Sequence, residues 1–207
     1  KIVIITDTKV APLYLADLAA GLPATTKSII LPPGDKAKII NNVQTVWDQL
    51  INFGCDRQSL VINLGGGVIS DLGGFAASTF MRGIDFINIP TTLLAQVDAS
   101  AGGKTGINYG HAKNIIGTFQ QPRLVLIDAE CINTLSDREF FSGWAEIFKH
   151  GLIADKKYFK QITARLPLAY RQKTSAAELA RIIFTSCKIK AAVVRLDPKE
   201  SGLRKIL

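Results

Sequence analysis

The residues best suited to chemistry begin where the apolar run Ser59 to Leu64 meets Gly65-Gly66-Gly67-Val68-Ile69-Ser70-Asp71, which opens a helical stretch containing Gly73 and Gly74. Glycines without Cβ atoms let backbone N–H groups approach a pyrophosphate, and a helix N-terminus favours its charge. The order is not GxGxxG, and three glycines also suit a tight turn beneath a closely packed helix, so both readings stand at this point. Further on, Arg82, Lys104, Lys113 and Asn114 sit among glycines after apolar runs. Together they can bind a phosphorylated, polyhydroxylated small molecule. Gly102-Gly103-Lys104-Thr105 ends like a P-loop, but no glycine stands at Gln96 to Asp98, where that loop would begin.

A second group lies in Glu146, Lys149 and His150. Helical spacing puts all three on one face, where a carboxylate and an ammonium form either an ordinary surface pair or a metal-bound acid beside a cation for an anionic substrate. Glu146 and His150, four apart, have the spacing of residues that can share a metal.

These groups need a scaffold. Lys1 to Thr6, Thr26 to Leu31, Ser59 to Leu64, Asp85 to Ile89 and Leu124 to Ile127 are short apolar runs rich in Val and Ile, as in strands buried on both sheet faces. Ala11 to Ala20, Ala37 to Phe53 and Val68 to Phe80 have helical spacing. The alternation predicts an α/β fold with an open parallel sheet that binds ligands at its strand carboxyl ends. After Asp128 the pattern turns helical. Ser136-Asp137-Arg138-Glu139 is a capping box, Gly151 a plausible stop, and Tyr158 to Leu166 and Ala176 to Val194 are two more helices parted by Pro167. The expected domains are 1–135 and 136–207.

With 207 residues, 47% hydrophobic and 20% charged, the chain is globular rather than disordered. Cys55, Cys131 and Cys187 show neither disulfide nor zinc spacing. The net charge of +8 is spread without interleaved aromatics, which argues against a nucleic-acid partner. No apolar run is of membrane-spanning length, and Lys1 to Asp7 reads as a strand rather than a signal peptide, so no membrane partner and a cytoplasmic location are expected.

The segments GGGVISDLGGFAASTFMRG, IPTTLLAQVDASAGGKTGIN, KNIIG and SGWAEIFKHGLI resemble 3-dehydroquinate synthase, within the sugar phosphate cyclases, and the similarity runs from about Asp7 to Leu207. The resemblance implies a Rossmann-like N-terminal domain for NAD, a helical C-terminal domain, and an active site between them. It implies NAD contacts at Asp7, Asp35, Lys38, Gly66, Gly67, Val68, Asp71, Thr91, Thr92 and Cys131 to Thr134, with Lys113 near the cofactor. Asp7 and Asp35 read equally well as helix N-caps.

The same carry-over puts Asp98, Lys104, Asn114, Lys149, Lys190 and Arg204 on the substrate, with Lys104, Lys149 and the proton acceptor Glu200 as catalytic groups. Arg82 would bind the phosphate, from the neighbouring subunit of a homodimer. Glu146 would be the carboxylate ligand of a divalent metal, zinc or cobalt. The family's two metal-binding histidines are expected beyond Leu207, so this stretch alone is expected to lack catalysis, and His150 is read as a satisfied or solvent-facing side chain. Departures from the pattern are Ser70, Lys9, Asp35 and His150, which bear on affinity rather than on required chemistry.

The implied reaction converts 3-deoxy-D-arabino-heptulosonate 7-phosphate to 3-dehydroquinate and phosphate, in the shikimate pathway, with no net redox. Alternatives are another sugar phosphate cyclase, a metal-dependent polyol dehydrogenase, or a nucleotide-binding module without catalysis.

Overall fold

The computed structural model describes residues 1–164 and 175–207. Its first part is a parallel sheet of β1 (Ile2–Asp7), β2 (Lys27–Leu31), β3 (Leu60–Gly65), β4 (Asp85–Pro90) and β7 (Leu124–Val125), in the order β2-β1-β3-β4-β7. Helix α1 (Ala11–Ala20) covers one face, and α2 (Ile40–Asn52) and α3 (Gly67–Thr79) pack on the other. Strand alternation explains the two layers: Val3 and Ile5 face α2 and α3, whereas Ile4 faces Tyr14, Leu15 and Leu18 of α1. This is the α/β architecture expected. The last strand is shorter than its apolar run, ending at Val125 rather than Ile127.

Between β4 and β7 the chain makes two structures that periodicity did not predict. The first is a single π-helical turn, Ala95–Ala99, a geometry that recurs at functional sites. Buried Asn88 of β4 donates to Ser100 O at 2.8 Å and accepts from Asn63 Nδ2 of β3 at 3.0 Å, tying this turn to the sheet. The second is an antiparallel hairpin of β5 (Lys104–Tyr109) and β6 (Ala112–Phe119). Gly106 and Gly117 pair across it, and a Cβ on Gly117 would lie 2.1 Å from Thr105 O. Only glycine fits that approach.

The helical part comprises α4 (Asp137–Ala154), α5 (Lys156–Thr163) and α6 (Ala176–Leu196). Ser136 caps α4 by accepting from Glu139 N, as its sequence predicts. Gly151 does not end the helix. It stays helical because α5 packs against it, leaving a Cβ there only 3.0 Å from Phe159 Cα. Leu166 and Pro167, expected as the end of a helix and a separator, lie outside the described residues.

Trp144, Phe140, Ile147, Ile162 and Ile182 form the helical core, and Leu93 and Val97 from the π-turn region pack into it. The π turn therefore packs into the helical core through Val97 while Asn88 ties its end to the sheet, and it carries Asp98 between the two.

Candidate active site

Two cavities flank the sheet's carboxyl end. The smaller, about 360 Å³, is lined by Asp7, Gly66, Gly67, Val68, Thr91, Thr92 and Thr134, seven of the residues expected on the nucleotide. Gly66 precedes α3 and Gly67 begins it, so the helix N-terminus faces this space. The glycines are needed for packing as well. A Cβ on Gly66 would lie 3.0 Å from Thr92 Cγ2, and one on Gly67 3.0 Å from Ala99 Cβ. Asp7 is not the N-cap of α1, a position held by Val10; its Oδ1 closes the turn before the helix, accepting from Lys9 N and Val10 N at 2.8 and 3.0 Å. Across the opening, Tyr14 Oη lies 2.6 Å from Thr134 Oγ1 and donates to Cys131 O at 3.2 Å, tying α1 to the 3-10 turn Ala129–Thr134. Tyr14 was not foreseen, and no local pattern marks it.

The remaining expected nucleotide residues lie elsewhere. Asp35 and Lys113 form an exposed ion pair at 2.9 Å. Asp71 lines the larger cavity, and buried Lys38 donates to it and to Asn114.

The larger cavity, about 720 Å³, is lined by Asp71, Asp98, Lys104, Asn114, Lys190, Glu200 and Arg204 among others. Six of these seven were expected on the substrate or in its chemistry. Lys190, from α6, pairs with Asp98 at 2.5 Å across 92 residues of chain. Lys104, at the start of β5, pairs with Glu200. Burial lowers the Lys190 ammonium, opposed by Asp98. Burial also lowers Lys104, helped by Arg204 and Lys190. A buried Lys190 and a half-exposed Lys104, each paired with a carboxylate, suit an anionic ligand, whose arrival replaces internal partners. Arg82 stands outside both cavities, exposed and with φ of 70°.

Glu200 and Arg204 owe their placement to Asp197, which the sequence reading missed. Its carboxylate accepts from the backbone N–H groups of Ser201, Gly202 and Arg204 at 2.9, 2.8 and 3.0 Å. An Asp-Pro start with a glycine five residues on is the signal that marks such a turn. These N–H donors hold the Asp197 carboxyl well below the usual range. The resulting stability is complete above the ordinary carboxyl pKa, and is lost as pH falls through the depressed folded value. Asp197→Asn is expected to raise KM by about tenfold through misplaced Arg204 and Glu200. Unchanged kinetics would show that the turn holds itself.

Next to Asp98, α4 presents Glu146 and His150. Glu146 Oε1 lies 2.5 Å from Lys149 Nζ and 3.2 Å from His150 Nε2. Burial raises the Glu146 carboxyl, but His150 and Lys149 together outweigh it, leaving it below its ordinary value. His150 is fully buried with neither ring nitrogen hydrogen-bonded, so it is neither solvent-facing nor satisfied as expected. Asp98, Glu146 and His150 offer ligand atoms within 4.8 Å of one another. Two carboxylates and an imidazole, with buried atoms lacking hydrogen bonds, fit a divalent cation.

The sequence of residues 28–142 matches the 3-dehydroquinate synthase N-terminal family, and residues 143–207 match the corresponding C-terminal family. The chain belongs to the 3-dehydroquinate synthase family. It is 46% identical to the 3-dehydroquinate synthase of Teredinibacter turnerae over 209 residues, spanning all of this chain and 57% of that protein. It is 48% identical to that of Nitrosomonas europaea over 210 residues, spanning 56% of the relative. The chain thus spans little more than half the length of these curated relatives. Among solved structures, 2-epi-5-epi-valiolone synthase from Streptomyces hygroscopicus, with NAD+ and Zn2+ bound, superposes with a TM-score of 0.88 at 31% identity, covering 99% of this chain and 58% of its own. A 2-deoxy-scyllo-inosose synthase complexed with carbaglucose-6-phosphate, NAD+ and Co2+ gives 0.88 at 26% identity, with 99% and 57% covered.

Burial pushes the Cys187 thiol up to about 11, and its Sγ donates to Gln96 O at 3.2 Å. Iodoacetamide at pH 8 is therefore expected to modify Cys187 at least roughly tenfold more slowly than an unperturbed thiol. Mass spectrometry showing rapid labelling at that residue would contradict the burial argument. No helix among the described residues is long and apolar enough to cross a membrane.

Proposed function

We propose that the protein is a 3-dehydroquinate synthase, a phosphate-eliminating lyase that converts 3-deoxy-D-arabino-heptulosonate 7-phosphate to 3-dehydroquinate. The observation that carries this reading is the adjacency of three features: the glycine turn cavity, the cavity of paired cations and carboxylates, and the Asp98–Glu146–His150 cluster. A redox cofactor, a phosphorylated acid and a divalent metal each find a matching donor set there.

NAD, held over Gly66, Gly67 and Val68 with Asp7, Thr91, Thr92 and Thr134, would supply reversible hydride transfer at a hydroxyl-bearing carbon. The metal, zinc or cobalt, would supply Lewis acidity and orientation, held by Glu146 with Asp98 and His150 at hand. Lys104, Lys190 and Arg204 bind and orient the anionic substrate and offset charge that develops as phosphate departs. Glu200, released from Lys104 by that binding, would take a proton. Lys149 keeps Glu146 ionised, and its Nζ also donates at 2.7 Å to the carbonyl of Leu207, which lines the larger cavity. The exposed Arg82 is assigned to the phosphate of a neighbouring subunit's substrate in a homodimer. A cytoplasmic biosynthetic setting goes with this chemistry.

The neighbouring valiolone and inosose synthases favour one rival, another sugar phosphate cyclase. Their 31% and 26% identity against 46% and 48% for the dehydroquinate synthases supports the first reading. The test uses a chain of the curated relatives' full length that contains these 207 residues, supplies it with substrate, NAD and zinc, and follows phosphate release, 3-dehydroquinate and NADH. Phosphate and 3-dehydroquinate in equal amounts without NADH build-up are expected. A different carbocycle, or net NADH with simple polyols, would overturn the assignment.

A further inference from the structure

We infer that Tyr14 is a positioning residue for the nucleotide: through a shared hydrogen bond it commits the Thr134 hydroxyl to accepting, so that the smaller cavity takes a hydrogen-bond donor of the ligand at that point. The inference rests on the reading of that cavity as the NAD site.

Tyr14 and Thr134 both line the smaller cavity, the first from α1 and the second from the end of the 3-10 turn Ala129–Thr134. Their hydroxyl oxygens lie 2.6 Å apart, and each also contacts Cys131 O, at 3.2 Å from Tyr14 Oη and 3.0 Å from Thr134 Oγ1. The three oxygens form a triangle that holds two protons, because the carbonyl has none to give. Two hydroxyl oxygens at 2.6 Å need a proton between them. The other proton then points at Cys131 O, whichever hydroxyl supplies it. Both protons are spent within the triangle, and only lone pairs remain for the cavity.

Without Tyr14 that polarity is open. A threonine can bond back to the carbonyl three residues before it, as Thr134 does, but its one proton is free to turn to an acceptor on a ligand instead. Tyr14 closes that choice from 120 residues away in the chain. Its ring packs against the sheet cluster of Ile4, Ile62, Leu64 and Ile89, so the sheet aims the hydroxyl. Burial raises the phenol above its ordinary value, outweighing the opposite effect of the Thr134 hydrogen bond, and the proton that the triangle needs stays in place at neutral pH.

A nicotinamide dinucleotide carries three kinds of donor that suit such a site: the carboxamide NH2, the adenine amino group and the ribose hydroxyls. A phosphoryl oxygen, which only accepts, is refused there and left to the helix N-terminus at Gly66 and Gly67.

The test uses a chain of the curated relatives' full length that contains these residues, and measures NAD dissociation constants by calorimetry for Tyr14→Phe, Thr134→Val and the double variant. Tyr14→Phe keeps the ring and its packing and is expected to weaken NAD binding roughly fivefold, and Thr134→Val, which keeps the shape, roughly tenfold. The double variant is expected to bind no more weakly than Thr134→Val, because Tyr14 acts through Thr134. Losses that multiply would give Tyr14 a structural role of its own and overturn the inference, as would unchanged affinity in either single variant. Two analogues identify the donor: 3-acetylpyridine adenine dinucleotide lacks the carboxamide NH2, and nicotinamide hypoxanthine dinucleotide lacks the adenine amino group. The analogue that lacks the contact should bind the unmutated protein and Thr134→Val alike, and a tenfold difference with both analogues assigns the contact to a ribose hydroxyl. An unmutated chain that binds NAD but forms no 3-dehydroquinate sinks the proposed function alone, and equal NAD binding by the unmutated protein and Tyr14→Phe sinks this inference alone.

Discussion

Lys104→Ala is expected to lower kcat by about a thousandfold while leaving the NAD dissociation constant within about twofold of its starting value. Lys104 begins β5 in the larger cavity, away from the glycine turn, and its ammonium meets Glu200. Burial and the neighbouring cations Arg204 and Lys190 depress its pKa, so the charge is already held at a cost that an anionic substrate relieves. Removing it deprives the site of a cation where charge develops and leaves Glu200 without its resting partner. Stopped-flow phosphate release and fluorescence titration with NAD measure the two quantities separately. Loss of NAD binding with substrate affinity intact would reverse the assignment of the cavities.

A comparable loss is expected on replacing Glu146 with glutamine, this time through the metal. Its Oε1 is buried and lies 2.5 Å from Lys149 Nζ and 3.2 Å from His150 Nε2. An amide keeps the shape and removes the negative charge that draws a divalent ion. Zinc affinity, measured against a competing chelator, should fall at least roughly a hundredfold, since even an outer-shell partner is worth about ten- to a hundredfold. Turnover should fall with it and recover partly in excess zinc. Unaltered zinc affinity would remove Glu146 from the metal centre.

Several parts of this architecture were open to inspection in the chain itself, for identifiable reasons. Parallel strands are buried on both faces, so β1, β3 and β4 are rich in Val, Ile, Leu and Phe, and buried Asn63 and Asn88 within them bond to each other. Ser136 and Glu139 announce the start of α4 because capping is local, and the contact at Glu139 N is present. The hairpin was hidden. Its glycines look like a ligand loop, and β6 is largely exposed, so neither burial nor alternation marked it. Gly151 misled for a related reason, since a glycine required by a neighbouring helix looks in sequence like one required by a turn.

The same distinction divides the site. Residue type, unaided, determined which groups were available: a glycine turn opening a helix, cations among glycines, and a carboxylate with a cation and a histidine one turn on. Short-range geometry suffices for each of these, because helix and strand periods fix neighbours within a few residues. Which distant groups meet was decided only by the fold. Lys190 reaches Asp98 across 92 residues, and Lys38 reaches Asn114 across 76. His150 becomes a buried imidazole without a hydrogen bond, instead of a surface one, through the packing around α4. Such contacts depend on the helical core closing against the sheet at the π turn, and the tertiary packing, not sequence spacing, then sets the surroundings of each group.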